Sequence, residues 1–344
     1  MKRRIFTSLI VALTAVIVLF WLQGHPLQEP RGELRAAMDV GSGSTNLQIA
    51  RVDVKTGKII TTLFQKSVPV PYQKHLEQSV DNRFDEEVMQ QGIAAIKALK
   101  ESADSYHVKK VIGVATAAFR QADNASEFVQ KIETMTGVPV RIINQDEEGI
   151  LAFRGALALS PVNPQDAVVW DIGGGSMQLT GLTSSGGYIV AKGDTASIPF
   201  KNAIIKEIQG KDLKEVTSPN PMSLENIDAA LEYAHVLAVK TDAFIQEKIK
   251  NPKTEVLAVG SLFNYGVKPL VPGVKIMTQS ALEKAVKGLV GKTDTQLPGG
   301  PLAEVAVSNP TLVLGYMQGL HIKQVEILQV NNTDGALTHP PYWE

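Results

Sequence analysis

The stretch Ala167-Val168-Val169-Trp170-Asp171-Ile172-Gly173-Gly174-Gly175-Ser176-Met177-Gln178-Leu179-Thr180 decides how this chain is read. Its apolar opening reads as a buried strand, and Gln178-Leu179-Thr180 as the return strand of a hairpin. Three consecutive glycines would weaken the interior of a helix or strand. They suit a turn whose backbone must come close to something, where N–H groups free of side chains can cradle a phosphate. Asp171, at the end of the strand, is placed to hold a hydrated cation beside that phosphate. Taken alone, the hexapeptide is equally compatible with a tight turn and a solvated Asp.

A second copy changes that balance. Asp39-Val40-Gly41-Ser42-Gly43-Ser44 follows the apolar Ala36-Ala37-Met38, and both segments share the pattern D-[VI]-G-x-G-S-x-x-L, with Leu47 matching Leu179. Each continues into a strand and a glycine turn, at Thr56-Gly57-Lys58 and Ser185-Gly186-Gly187. The repeat predicts two similar domains, each with one phosphate-binding hairpin, gripping one phosphate chain across a cleft.

The 344 residues suffice for two α/β domains, and with 44% hydrophobic and 20% charged residues a sizeable core is available. A net charge of −1 excludes a surface that attracts polyanions generally, so nucleic acid is not an expected partner. The absence of cysteine excludes disulfides and thiolate metal sites, and the six histidines show no ligand spacing, which argues against zinc. Lys2-Arg3-Arg4 precede an uncharged, apolar-dominated run from Ile5 to Leu22, about long enough to span a bilayer as one helix. With no clear cleavage site after it, an uncleaved anchor is favoured over a secretion signal, leaving the globular part on the extracytoplasmic, periplasmic side. Residues 1–30 are thus read as anchor and tether, 34–160 as the first domain and 161–344 as the second, divided at Ser160-Pro161-Val162-Asn163-Pro164.

In the first domain, strands are expected over 36–41, 46–54 and 58–66, a loop over 68–82, and a helix over 83–105 capped by Asp81 or Asn82. A strand over 108–116, a helix from Asn124 to Gly137, a strand over 138–143 and a helix opened by Asn144 follow. In the second, strands are expected near 167–172, 176–182, 187–192, 255–259 and 325–330. Helices are expected over 197–208 and 223–249, from Ser280 to Gly291, and from an Asn309-Pro310 start through 321. Strands alternating with helices, opened in each half by a hairpin, argue for α/β domains with mixed sheets.

The duplicated hairpin resembles those of the actin–hexokinase–chaperone ATPase superfamily, with two ribonuclease-H-like domains around a cleft. Five segments narrow the match: Asp39 to Leu47, Ala115-Thr116-x-Ala118-x-Arg120, Glu147-Glu148-Gly149, Asp171 to Ser176, and Thr333-Asp334-Gly335-Ala336-Leu337. In this order, over roughly residues 35–337, they resemble the exopolyphosphatase / guanosine pentaphosphate phosphatase (Ppx/GppA) family, in a short form without the C-terminal helical domain of long members. The resemblance implies removal of a terminal phosphate from polyphosphate or a phosphorylated guanosine nucleotide. Gly41, Ser42, Gly43, Ser44, Thr116, Gly173, Gly174, Gly175 and Ser176 would bind phosphate. Asp39 and Asp171 would hold Mg²⁺ or another divalent cation, and Arg120 would clamp phosphate. Glu148, or its neighbour Glu147, would activate water, although acidic residues also stabilise the first turn of any helix.

Ala117 stands where some members carry an acidic residue, Gly43 where Asn is usual, and Gly260-Ser261-Leu262 where many show Gly-Gly-Thr. The first leaves open a sensor that binds without turnover, and the superfamily also contains phosphotransferases. A homodimer is compatible with the sequence.

Overall fold

The computed structural model describes residues 32–344, built around two sheets of matching topology. The first holds β1 (Glu33–Val40), β2 (Ser44–Asp53), β3 (Lys58–Pro69), β4 (Val111–Ala115) and β5 (Val140–Ile142), in the order β3-β2-β1-β4-β5. The second holds β6 (Ala167–Ile172), β7 (Met177–Leu182), β8 (Tyr188–Gly193), β9 (Glu255–Val259), β10 (Ile276–Thr278) and β11 (Gln324–Ile327), in the order β10-β11-β9-β6-β7-β8. In each, three antiparallel strands are followed by two parallel to the first, and β10 adds one antiparallel edge. The two mixed sheets agree with an actin/hexokinase-like arrangement of two units. The central strands β1 and β6 have both faces covered, so they read as near-continuous apolar runs rather than alternating ones.

Helices of the first half are α1 (Tyr72–Gln78), α2 (Glu86–Ser105), α3 (Ala117–Gln121), α4 (Ala125–Thr136) and α5 (Gln145–Leu159). Those of the second are α6 (Ser197–Ala203), α7 (Leu224–Ala238), α8 (Ala243–Lys250), α9 (Gln279–Lys287), α10 (Ser308–Gly319) and α11 (Asn332–Thr338). Tyr72, Phe84, Phe119 and Phe128 form an aromatic knot under the first sheet, with Phe119 stacked on Phe128 at 5.4 Å. Under the second, the Trp170 ring meets Phe263 edge-on at 5.1 Å.

Two helices exchange sides. The residues Ala152, Phe153, Ala156 and Leu157 of α5 pack with Val169, Leu257 and Val259 of the second sheet. Ala336 and Leu337 of α11 pack with Ala37, Ala50 and Val114 of the first. Thus α11, assigned by sequence order to the second unit over 161–344, lies on the first sheet, where Arg35 donates to the Leu337 carbonyl at 2.8 Å. The exchanged helices touch closely, because a Cβ on Gly335 would collide with the Leu151 carbonyl oxygen.

Several elements differ from expectation for local reasons. Asp85 rather than Asp81 or Asn82 caps α2, accepting from Val88 N at 2.8 Å, while Asn82 is held at φ 55° with its amide on the Gln121 carbonyl. The loop expected over 68–82 contains α1. The helix expected over 223–249 is two, since Asp242 caps α8 through Phe244 N. Helix α10 starts at Ser308, not at Asn309-Pro310: Val307 is already helical, and the Asn309 side chain accepts from Ser197. The expected anchor over residues 5–22 lies outside the described residues. Among those described, no helix is long and apolar enough to cross a membrane.

Candidate phosphate and cation site between the two sheets

Asp39 sits near the end of β1, in register with Asn46 on β2, and Asp171 near the end of β6, in register with Gln178 on β7. The hairpins that follow close alike: Gly41 N donates to the Ser44 carbonyl at 2.9 Å, and Gly173 N to that of Ser176 at 3.0 Å. Gly41 and Gly173 therefore spend their N–H groups on the turn, contrary to their expected role as phosphate donors. Ser42, Gly43, Gly174 and Gly175 do not, and among the described residues their N–H groups have no hydrogen-bond partner in the chain.

The two turns meet. A Cβ added to Gly174 would lie 3.1 Å from the Ser42 Cβ, and one added to Gly175 would lie 3.0 Å from the Ala117 Cβ and 3.1 Å from Ser42 Oγ. Glycine leaves room for this approach, which a Cβ would make tighter than ordinary contact. Gly260, at φ 94°, presses against Asp171 on its other side, and any Cβ there would strike Asp171 Oδ1.

Glu148 enters from the first turn of α5. The Asn144 side chain caps that helix by accepting from Glu147 N at 2.8 Å, as the sequence implied. Glu148 Oε2 lies 2.8 Å from Arg120 Nη2 and accepts from Ser176 Oγ at 3.3 Å and from Gln178 Nε2 at 3.2 Å. Arg120 also donates to Ser176 Oγ and to the Ile143 carbonyl, each at 3.0 Å, so it ties α3 to the opposite hairpin. The guanidinium expected to clamp phosphate is thus engaged with Glu148. Thr116 is buried at the start of α3, where its hydroxyl makes no capping bond. Glu147, named beside Glu148 as a water activator, is directed elsewhere: it accepts from the Tyr342 hydroxyl at 2.7 Å and faces Arg141 at 3.8 Å. Adjacent helical residues point about 100° apart, so one of the pair had to leave the cluster.

The electrostatics are those of three acids sharing one guanidinium. Burial, then the charge of Glu148, pushes Asp39 up to about 7, against smaller opposing effects of Asn332 and Asn46. Burial, then Glu148 and Asp39, holds Asp171 well above the usual carboxylate range. Burial raises Glu148 as well, although Arg120, Ser176 and Asn332 favour its ionised form. Asp39 Oδ1 is buried without a hydrogen-bond partner.

Residues 48–185 match the model of the Ppx/GppA phosphatase family, the family whose five segments lie in order along the chain. Over that segment the chain is similar to the Ppx/GppA phosphatases. The Aquifex aeolicus member of the Ppx/GppA family shares the fold of this chain at a TM-score of 0.69 and 20% identity, over 90% of this chain and 97% of that one. An exopolyphosphatase from Cytophaga hutchinsonii does so at 0.70 and 16% identity, over 89% and 96%. A nucleoside triphosphate hydrolase structure from Neospora caninum is more distant, at 0.51 and 11% over 98% of each chain.

The donor set suits a hard divalent cation. Carboxylate oxygens are the ligands Mg²⁺ prefers, an orphaned buried carboxylate oxygen is at hand, and the surplus negative charge needs neutralising. Among the described residues no three acidic or histidine side chains form a closed metal cage. That fits an ion held by one or two carboxylates and completed by phosphate oxygens and water. Sequence reasoning missed Asn332 and Gln178, and noted Gly260 only as a departure from the family pattern, not as a neighbour of Asp171. Gln178 could have been found as the partner in register with Asp171, and Gly260 by its position at the end of β9. Asn332 has no local signal.

Proposed function

We propose that this chain is a phosphohydrolase of the Ppx/GppA type, dependent on a divalent cation, that removes the terminal phosphate of inorganic polyphosphate. One observation carries the reading: Asp39, Asp171 and Glu148 converge with Arg120 where two glycine turns with free N–H groups meet. The free N–H groups of Ser42, Gly43, Gly174 and Gly175 suit phosphate oxygens. Asp39 and Asp171 would hold Mg²⁺, which when bound supplies positive charge against the phosphates. Glu148, kept raised by burial yet oriented by Arg120, Ser176 and Gln178, accepts the proton of the attacking water. Arg120 holds that carboxylate in place and offsets charge that builds on the phosphoryl group. Ser42 against Gly174 and Gly175 closes the site, so the turns must part to admit a phosphate chain.

The experiment is orthophosphate release from polyphosphate and from guanosine pentaphosphate, side by side, with and without Mg²⁺. Faster Mg²⁺-dependent release from polyphosphate supports the reading, faster release from the nucleotide moves the substrate, and a need for an added acceptor makes the chain a phosphotransferase. A second reading, binding without turnover, is favoured by Ala117, which brings a methyl group rather than a carboxylate against Gly175; tight polyphosphate binding without release would establish it. Attachment through residues 5–22 and placement outside the cytoplasm belong to the same proposal, tested by retention of the full chain in carbonate-washed membranes.

A further inference from the structure

The polar side chains around Asn332 are committed to one another. Asn331 Oδ1 accepts from Thr333 N at 2.8 Å, the Thr333 hydroxyl donates to Gln48 Oε1 at 2.6 Å, and Asp334 accepts from Gln48 Nε2 at 2.8 Å and from Asn331 N at 3.0 Å. This network pins the start of α11 to β2. Asn332 is the exception. It is 8% exposed, its Oδ1 is sealed from solvent, and that oxygen has no hydrogen-bond partner. Its side chain stands against Asp39 and Glu148.

An orphaned buried acceptor is costly, even on a side chain whose N–H group favours the ionised Asp39 and Glu148. A donor brought into the site with the substrate would satisfy it. Fully ionised phosphate oxygens only accept hydrogen bonds, so the substrate chain cannot be that donor. Water can, because it offers two O–H groups.

We propose that Asn332 is a further active-site residue, whose Oδ1 accepts one O–H of the attacking water while Glu148 accepts the other. This rests on the hydrolase reading above. Two hydrogens held at fixed acceptors leave an oxygen lone pair for the terminal phosphorus. As the new P–O bond forms, the bridging P–O bond breaks and its electron pair leaves on the oxygen of the shortened chain. One water proton passes to Glu148, and the other stays on the released orthophosphate.

The test uses the full chain and four proteins: wild type, Asn332→Ala, Asn332→Leu and the Asn332→Ala/Glu148→Gln double variant. Turnover number, KM for polyphosphate, the Mg²⁺ concentration for half-maximal rate and melting temperature are read on each. Misorienting the water should lower kcat about 10- to 100-fold, leave KM within about 2-fold, and leave the protein folded. In the Glu148→Gln background the alanine should cost little more, because both residues act on one water. Wild-type kcat in both single variants overturns the inference and leaves the hydrolase reading standing. A rate restored by more Mg²⁺ overturns it too, making Asn332 a cation ligand. Loss of folding in both variants overturns it in favour of a structural role. A wild type that releases phosphate from neither polyphosphate nor guanosine pentaphosphate overturns the hydrolase reading and the inference with it.

Discussion

Arg120 Nη2 lies 2.8 Å from Glu148 Oε2, and the two side chains are 18% and 7% exposed. The pair joins α3 of the first half to the only acidic side chain of the Asp146-Glu147-Glu148 run that is buried. Removing the guanidinium by Arg120→Gln leaves Glu148 facing Asp39 and Asp171 without a cation. Such a break in a buried pair costs on the order of 3 kcal/mol. Urea unfolding should show that loss in metal-free protein, and a smaller loss with Mg²⁺ present. An unchanged unfolding midpoint would mean that solvent already screens the pair.

Glu148→Gln keeps the shape and removes the proposed proton acceptor. The turnover rate should fall by roughly 10² to 10⁴, the usual contribution of a positioned base, with little change in polyphosphate affinity. Glu147→Gln should leave the rate within a few-fold and cost about 1 kcal/mol of stability, through the weakened bond from the Tyr342 hydroxyl. Rates and melting temperatures on both variants check this. A full-rate Glu148→Gln enzyme would remove Glu148 from the chemistry.

Stability should fall as pH rises. Burial raises Asp39 to about 7 and Asp334 to about 6, against unfolded values of about 4. Groups raised by folding contribute stability that is fully present below their unfolded pKa and is lost as pH climbs through the folded one. Metal-free protein should therefore melt higher at pH 5 than at pH 8, and Mg²⁺ should recover part of the difference at pH 8. Asp334→Asn should flatten the portion near pH 6, with the Gln48 amide turning over to keep its bonds. Thermal melts in chelator at the two pH values decide it, and equal midpoints would count against the buried-acid account.

Two glycines should behave oppositely on gaining a methyl group. Gly260→Ala combines a positive φ with a Cβ that strikes Asp171 Oδ1 and lies 2.5 Å from the Ile172 carbonyl oxygen, so it should cost about 2–4 kcal/mol. A Cβ on Gly43 meets nothing within 4 Å, so Gly43→Ala should stay within about 0.5 kcal/mol of wild type in stability. Chemical unfolding of both variants makes the comparison. Equal losses would show that the Gly260 contact relaxes cheaply.

The sheet architecture was legible because the repeated Asp-Gly hairpins sit on strands whose apolar runs are uninterrupted, as at Val168-Val169-Trp170. Helix starts at Asn144 and Ser223 were legible because their side chains bond the backbone N–H groups that a cap must satisfy. Helix α1 was not: Pro71 makes no side-chain cap, and Tyr72-Gln73-Lys74-His75-Leu76 has too short an apolar pattern to announce a turn. Asp39, Asp171 and Glu148 stood out through glycine and acid patterns. Asn332 and Gln178 did not, since an amide gains meaning only from partners that the fold brings in from distant strands and helices. The crossing of α5 and α11 over the division at 160/161 was not legible for the same reason, because their packing is decided by which sheet has a face to cover.

The exchange of those two helices constrains how the molecule can move. Each half supplies the cover of the other half's sheet, and the covers lock together where Gly335 meets Leu151. The halves are tied together rather than strung like beads, and the packing predicts that they rock about the crossed pair, like the blades of scissors about a rivet. Glu148 opens one of those helices and Asn332 opens the other, so both ride near the rivet. Asp39 and Asp171, carried on strands of opposite sheets, ride with the blades. Each swing should then part and rejoin Asp39, Asp171 and the glycine turns, while Glu148 and Asn332 stay at nearly fixed separation.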